Sequence, residues 1–241
     1  MKRKRSLIIG GTRGIGRAVV RALVKEGHAV TVVGRHAPTG KDRLRGVRYC
    51  TLDLLDHARL AEVLRQTGAV DSLVFCQRFR SEGDPWMGEF QTSLTATKEI
   101  IERCRGVKSI VVIGSIAARW VASEQPVSYH AMKAALMQMV RYFAVTLGPK
   151  GCRVNCVSPC TVLKEESAEF YRKNKALTQL LEQITPLRRM GTTEDVAKVV
   201  AWLCSDRAGF VTGQEIMVDG GMSLQWPEAL ARTLKGLEVR R

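Results

Sequence analysis

The stretch Ser6-Leu7-Ile8-Ile9-Gly10-Gly11-Thr12-Arg13-Gly14-Ile15-Gly16 decides how the rest of the chain is read. A short apolar run enters a glycine-rich turn. Beyond it, apolar residues recur at Ile15, Val19, Leu23 and Val24, the spacing of one helix face. Residues 6–9 therefore read as a strand and 14–26 as a helix, with Gly27 suited to its end. Glycines at this junction allow a tight turn and close approach of the backbone to a pyrophosphate, which then sits at the helix N-terminus. A glycine pattern alone also fits an ordinary turn, and its place between strand and helix favours phosphate binding. The spacing is Gly10-x₃-Gly14-x-Gly16 rather than G-x-G-x-x-G.

Outward from that turn, apolar strands alternate with helical patterns. Strands are expected at 29–33, 47–52, 70–75, 109–113, 152–157 and 214–218. Helices are expected at 58–66, 86–104, 128–147 and 193–204, and 165–183 also reads as helical. The continuous apolar run at 109–113 suits a strand covered on both faces. Repeated β–α units imply an α/β fold, a Rossmann-type doubly wound parallel sheet of about seven strands. No linker or repeat is visible, so 1–241 is expected to be one domain, with 225–241 as a C-terminal extension. In that extension Leu230, Leu234 and Leu237 have helical spacing. Residues 35–48 are rich in Pro, Gly and charge, so no full helix is expected between strands two and three.

Composition narrows the function classes. Of 241 residues, 45% are hydrophobic, enough for a substantial core. No stretch approaches 18 uninterrupted apolar residues, so no membrane span is expected. The apolar run after the basic start is too short for a signal-peptide core, and a cytoplasmic protein is expected. Seven cysteines, an odd number, do not form a disulfide framework. Cys152, Cys156 and Cys160 are evenly spaced, but no histidine joins them at ligand spacing. They read as packed thiols, and no metal is expected. The net charge of +15 suits anionic partners such as cofactor phosphates or an acidic protein. With aromatics at 6% and no stacking pattern, nucleic acid is disfavoured as a partner.

Tyr129-His130-Ala131-Met132-Lys133 lies near the start of a helix, where residues i and i+4 share one face. Ser115 lies upstream, directly after the fifth strand. His130 reads as a helix-surface residue, and His28, His36 and His57 have no catalytic spacing. At the end of the second strand stands Val33-Gly34-Arg35, without the carboxylate that holds the ribose hydroxyls of NAD. Arg35, with Arg13 in the glycine turn, is instead suited to a 2′-phosphate, so NADP(H) is expected.

Together, the glycine turn, Ser115, Tyr129 and Lys133 resemble the short-chain dehydrogenase/reductase superfamily. The glycine turn is similar to that family's Thr-Gly-x₃-Gly-x-Gly, with Ile9 in the threonine position. Arg189-Met190-Gly191-Thr192-Thr193-Glu194-Asp195-Val196 and the segment from Phe210 to Gly221 resemble its 3-oxoacyl-carrier-protein reductase branch. The resemblance implies a ketone reductase in which Tyr129 is the general acid. It also implies that Ser115 binds the substrate oxygen, while Lys133 stabilises the Tyr129 phenolate and contacts the nicotinamide ribose. Cofactor contacts are implied for Gly10, Thr12, Arg13, Gly14, Ile15, Gly16, Arg35, Asp53, Leu54, Tyr129, Lys133, Pro159 and Val162. The implied substrate is a small or carrier-bound carbonyl compound: a 3-oxoacyl group, a polyketide-like ketone or a keto sugar. The implied assembly is a homotetramer or homodimer. Besides Ile9, the sequence departs from the family in its Pro-Gly turn, which reads Pro159-Cys160, and at further places. Phe75-Cys76-Gln77-Arg78 stands where Asn-Asn-Ala-Gly is usual, Ser93 aligns with a catalytic asparagine, and Lys164 takes the place of a threonine near the nicotinamide. These departures leave open an alternative, a catalytically degenerate NADP(H)-binding regulatory or structural protein.

Overall fold

A computed structural model describes residues 3–80 and 82–237. The chain begins with strand β1 (Arg5–Ile9), helix α1 (Gly14–Lys25) and β2 (Ala29–Gly34). Only a 3₁₀ turn, Gly40–Asp42, separates β2 from β3 (Arg48–Thr51), as the composition of 35–48 implies. Then follow α2 (His57–Thr67), β4 (Ser72–Phe75), α3 (Pro85–Glu89), a π-helical stretch Phe90–Thr95 and α4 (Ala96–Arg103). The second half comprises β5 (Ser109–Ile113), α5 (Val127–Leu147), β6 (Arg153–Pro159), β7 (Val162–Leu163), α6 (Ala168–Lys173), α7 (Lys175–Ile184), β8 (Gly191–Thr192), α8 (Thr193–Cys204), β9 (Glu215–Val218) and α9 (Pro227–Leu234).

Seven strands form one parallel sheet in the order β3-β2-β1-β4-β5-β6-β9. Helices cover both faces, so the central strands are apolar on both sides. Leu7, Ile9, Leu73 and Phe75 join Leu136 and Val140 of α5 and Ile100 of α4 in one core cluster. Ile8, Val74 and Val111 face the other way, onto Val19, Val20 and Leu23 of α1 and Val196 and Val200 of α8. Burying each such side chain contributes about 1.5–3 kcal/mol. The order reverses between β1 and β4, and a crevice opens there at the carboxyl ends of the strands.

Several local outcomes differ from the expected pattern. The helix expected at 86–104 is one helical run from Pro85 to Arg103, but its middle turn is widened into a π stretch. Asp84 caps its start, its carboxylate accepting from the Trp86 and Met87 N–H groups at 3.0 and 3.2 Å. The expected helix over 165–183 is a 3₁₀ turn at Glu165–Ser167 followed by two helices, broken at Asn174. There the Asn174 side chain donates to the Phe170 carbonyl at 2.7 Å, closing α6. The two-residue pair β7–β8 has no signature in the sequence pattern, being too short to show a period. In the extension 225–241, α9 forms, with Leu234 and Leu237 exposed. Residues 238–241 lie outside the described residues.

Helix α8 packs against α1 and so braces the helix that starts at the glycine turn. A capping box fixes its own start. Thr192 Oγ1 accepts from the Asp195 N–H at 3.2 Å, and Asp195 accepts from the Thr192 N–H at 2.9 Å. Arg189 clamps the same carboxylate at 2.6 and 3.0 Å and holds its pKa well below the ordinary carboxylate range. Asp195→Ala is expected to lower stability by about 1 kcal/mol, read as the urea midpoint. A depressed carboxylate stabilises the fold above its unfolded value, roughly pH 3.9. This contribution is therefore complete at neutral pH and is lost only as pH falls below that value.

Candidate active site

A cleft of about 1180 Å³ runs along the carboxyl edge of the sheet, from Arg35 and Leu54 past the glycine turn to Ser115, Tyr129 and Lys164. Backbone hydrogen bonds gather its floor. Gly10 N–H donates to the Val33 carbonyl and Cys76 N–H to the Ile9 carbonyl, both at 2.8 Å. Gly10 has φ +80°, and a Cβ on Gly16 would lie 2.1 Å from the Gly10 carbonyl oxygen. Only glycine lets the first turn of α1 sit this close to the loop. No side chain caps the α1 N-terminus and no acidic residue lies in its first turn. Its N–H donors and positive dipole end are therefore left for an anion.

These features fit a dinucleotide: an uncapped helix start for the pyrophosphate, and a cleft that continues to both sides of it. Thr12, Arg13, Gly14 and Ile15 line it beside the turn, and Asp53 and Leu54 line its end beyond β3. Asp53 turns its carboxylate back onto the Leu55 N–H at 3.1 Å. Arg35 lines the cleft at the end of β2 and donates to the Arg80 carbonyl at 3.2 Å. Pro159 and Val162 form the opposite wall. Glu166 approaches the same helix start, its Oε1 3.0 Å from where a Cβ on Gly14 would lie. Beside it Glu165 pairs with Arg17 and Arg21. A carboxylate thus stands near the position suited to a phosphate.

At the other end, β5 delivers Ser115 and α5 delivers Tyr129 and Lys133 to one place. Ser115 is buried, and its Oγ accepts from the Ala117 N–H at 3.1 Å, which leaves the hydroxyl proton to donate elsewhere. Gly114 before it lies against β6: a Cβ there would sit 2.5 Å from Cys156 Sγ and Ser158 Oγ. Lys133 is buried, its ammonium donating to the Ile113 carbonyl at 2.7 Å and lying 5.7 Å from the centre of the Tyr129 ring. His130 braces the preceding loop. Its Nε2 accepts from the Ala122 N–H at 2.9 Å, while Nδ1 sits 3.1 Å from the Pro126 carbonyl as donor. That arrangement spends both ring nitrogens on structure.

Ser93 is placed differently from the resemblance's implication. It is buried in the π stretch, donates to Glu89 Oε2 at 2.8 Å and does not line the cleft. Of the three evenly spaced cysteines, Cys152 and Cys156 pack in the core, and Cys160 lies past the end of β6 on the cleft wall. Burial pushes all three thiols up to about 11. Cys76, in an asparagine position of the family pattern, is pushed up to about 12 by burial despite nearby Lys133, so it is a neutral thiol at physiological pH.

The cleft also holds residues that motif reading did not single out as site residues. Arg78 lies over the Tyr129 ring, its guanidinium carbon 4.3 Å from the centroid. It donates to Gln125 at 2.6 Å and faces Glu89 at 3.6 Å. Arg80 lines the same wall, where burial and then Arg13 and Arg78 lower its basicity. The only available signal was that a large cation stands where the family pattern has glycine.

Comparison with known proteins agrees with this layout. Residues 4–77 match the family model of short chain dehydrogenases, and residues 86–223 match the model described as enoyl-(acyl carrier protein) reductase. The chain is 30% identical to L-xylulose reductase of Bos taurus, covering 90% of this chain and 96% of that one. It is also 30% identical to the cyclic-di-GMP-binding biofilm dispersal mediator protein of Escherichia coli (strain K12), again over 90% and 96%. A crystal structure of a short chain dehydrogenase/reductase family oxidoreductase from Burkholderia thailandensis superposes with TM-score 0.81 at 28% identity, covering 100% of both chains.

Proposed function

The chain belongs to the short-chain dehydrogenase/reductase family, and on that premise we propose that it is an NADPH-dependent reductase converting a ketone to an alcohol. The observation that carries this is the convergence of Ser115, Tyr129 and Lys133 on the cleft that the glycine turn opens. Bound NADPH supplies a hydride for the substrate's carbonyl carbon. Ser115, already accepting from Ala117, directs its proton at the carbonyl oxygen and orients it. Tyr129 donates the phenolic proton to that oxygen as charge develops there. Lys133, fixed by the Ile113 carbonyl, stabilises the phenolate left behind. The candidate substrates remain a 3-oxoacyl group, a polyketide-like ketone or a keto sugar, small or carrier-bound. Loss of reduced-nicotinamide absorbance with a ketone panel tests the proposal, and no turnover with any member would sink it.

Arg35 and Arg13 are assigned to the 2′-phosphate of NADPH. A charge-assisted pair contributes about 1.5–3 kcal/mol. Arg35→Ala is therefore expected to weaken NADPH binding by roughly 10- to 100-fold and to leave NADH binding within about twofold. Titration of both cofactors by fluorescence checks this, and an equal loss for both would remove Arg35 from that role.

Exposed apolar side chains on neighbouring helices support self-association. Trp86 and Met87 on α3, and Tyr142 and Val145 on α5, all face solvent in the single chain. A homodimer or homotetramer is expected by light scattering. All seven cysteines are unpaired, and among the described residues no helix is long and apolar enough to cross a membrane. The unpaired thiols support a cytoplasmic enzyme. The second reading, a nucleotide-binding regulatory protein, is favoured by one observation: Ser93 spends its hydroxyl on Glu89 rather than on the cleft.

A further inference from the structure

We infer that Arg78 is a substrate-specificity residue, and that it holds an anionic group, carboxylate or phosphate, carried by the ketone that Tyr129 protonates. The inference rests on the reductase assignment and names the substrate class for it. Its basis is placement. The guanidinium lies over the Tyr129 ring at 4.3 Å, within one ring of the proton-donating hydroxyl, and it lines the cleft. Arg78 is anchored from behind. Gln125, just before α5, accepts one N–H at 2.6 Å, and the buried Glu89 of α3 faces Nε at 3.6 Å. Gln125 is the one hydrogen-bond acceptor the guanidinium has among the described residues, and Nε is buried without one. A guanidinium carries five donors. With one N–H on Gln125 and Nε turned to Glu89, the remaining terminal N–H groups are left for a ligand while their position is fixed in advance, the condition for bidentate recognition of a carboxylate or phosphate.

The surrounding charge is mixed. Arg80 and Lys164 share this part of the cleft. Both have lowered basicity, from burial first and then from neighbouring cations: Arg13 and Arg78 for Arg80, Arg80 and Arg78 for Lys164. Glu166 opposes them, but it reaches toward Gly14 at the helix start. Glu89 lies behind Arg78 and is shared with Ser93. Glu124, beside Gln125, also lines the cleft, so these cations face carboxylates in equal number, but none of those carboxylates hydrogen-bonds Arg78, and a neutral ketone would leave its free donors desolvated and unpaired. Arg13 and Arg35 are the cations assigned to the cofactor's 2′-phosphate, while Arg78 is set against the tyrosine.

Two matched pairs of probes test this: acetoacetate against methyl acetoacetate, and dihydroxyacetone phosphate against dihydroxyacetone. The native protein is expected to favour the anion in at least one pair by about 10- to 100-fold in kcat/KM, and the favoured pair separates carboxylate from phosphate. Arg78→Met is expected to erase that preference through KM, with the neutral partner and the NADPH dissociation constant changed less than about threefold. Arg78→Lys retains a charge opposite Glu89 should the methionine variant fold poorly. It is expected to keep only part of the preference, because the fork is gone. Equal rates for both members of each pair in the native protein would overturn the inference and leave the reductase assignment standing. A preference that survives in both variants, or NADPH binding weakened as much as anion use, would also overturn it. If no probe is reduced, the reductase assignment is decided by the wider ketone panel, separately from the anion site. Calorimetric titration of acetoacetate and dihydroxyacetone phosphate into the NADP⁺ complex then decides: binding lost in Arg78→Met supports the anion site, and no binding to the native protein overturns it.

Discussion

Tyr129→Phe is expected to lower kcat by about 10²- to 10⁴-fold, the usual contribution of a positioned general acid, with NADPH affinity and melting temperature nearly unchanged. The substitution removes one oxygen and leaves the ring. The stacking of Arg78 on that ring is therefore kept, as is the T-shaped contact with His130 at 6.2 Å. Tyr129 lines the open cleft, so no sealed cavity is created. Ser115 still orients the carbonyl oxygen, and Lys133 remains tied to Ile113. What is lost is the proton source beside the carbonyl oxygen. Single-turnover oxidation of bound NADPH with a reducible ketone measures the chemical step. If Tyr129→Phe oxidised NADPH at the native rate, the tyrosine would be a wall residue and another group would have to supply the proton.

Much of this site was legible in the sequence because its parts depend on local chain geometry. The strand–glycine–helix junction at residues 6–16 declares itself through a change of period, and Tyr129 and Lys133 sit one helical turn apart on α5. The missing helix between β2 and β3 was visible in the composition of 35–48. What could not be read depends on distant partners. The π stretch at Phe90–Thr95 widens a helix whose apolar spacing looks ordinary, and it turns Ser93 onto Glu89. Arg78 owes its position to Gln125, 47 residues on, and to Glu89. Glu165 meets Arg21 across 144 residues. Side-chain direction in such loops is set by tertiary packing, which periodicity does not encode.

The second large effect is expected at Gly16, where alanine should weaken NADPH binding by roughly tenfold to 100-fold and lower stability by about 1–3 kcal/mol. The added Cβ would sit 2.1 Å from the Gly10 carbonyl oxygen and 3.0 Å from the Gly10 carbonyl carbon and Gly11 Cα. Every atom it meets there is backbone, so no side chain can swing aside. Relief requires the turn to lift away from α1. Lifting it pulls on the Gly10 N–H bond to Val33 and tilts the N–H groups that converge on the pyrophosphate position. Gly27 provides the matched control. It has φ +84° at the far end of the same helix, and a Cβ added there would meet nothing within 4 Å. Alanine there should cost about 1–2 kcal/mol through backbone strain alone. NADPH affinity should stay native in that variant, because the whole length of α1, Gly14–Lys25, separates the strain from the turn. Paired denaturation and cofactor titration of the two variants separate general destabilisation from damage to the cradle. Native NADPH affinity in a folded Gly16→Ala protein would mean that the dinucleotide does not lie over this turn.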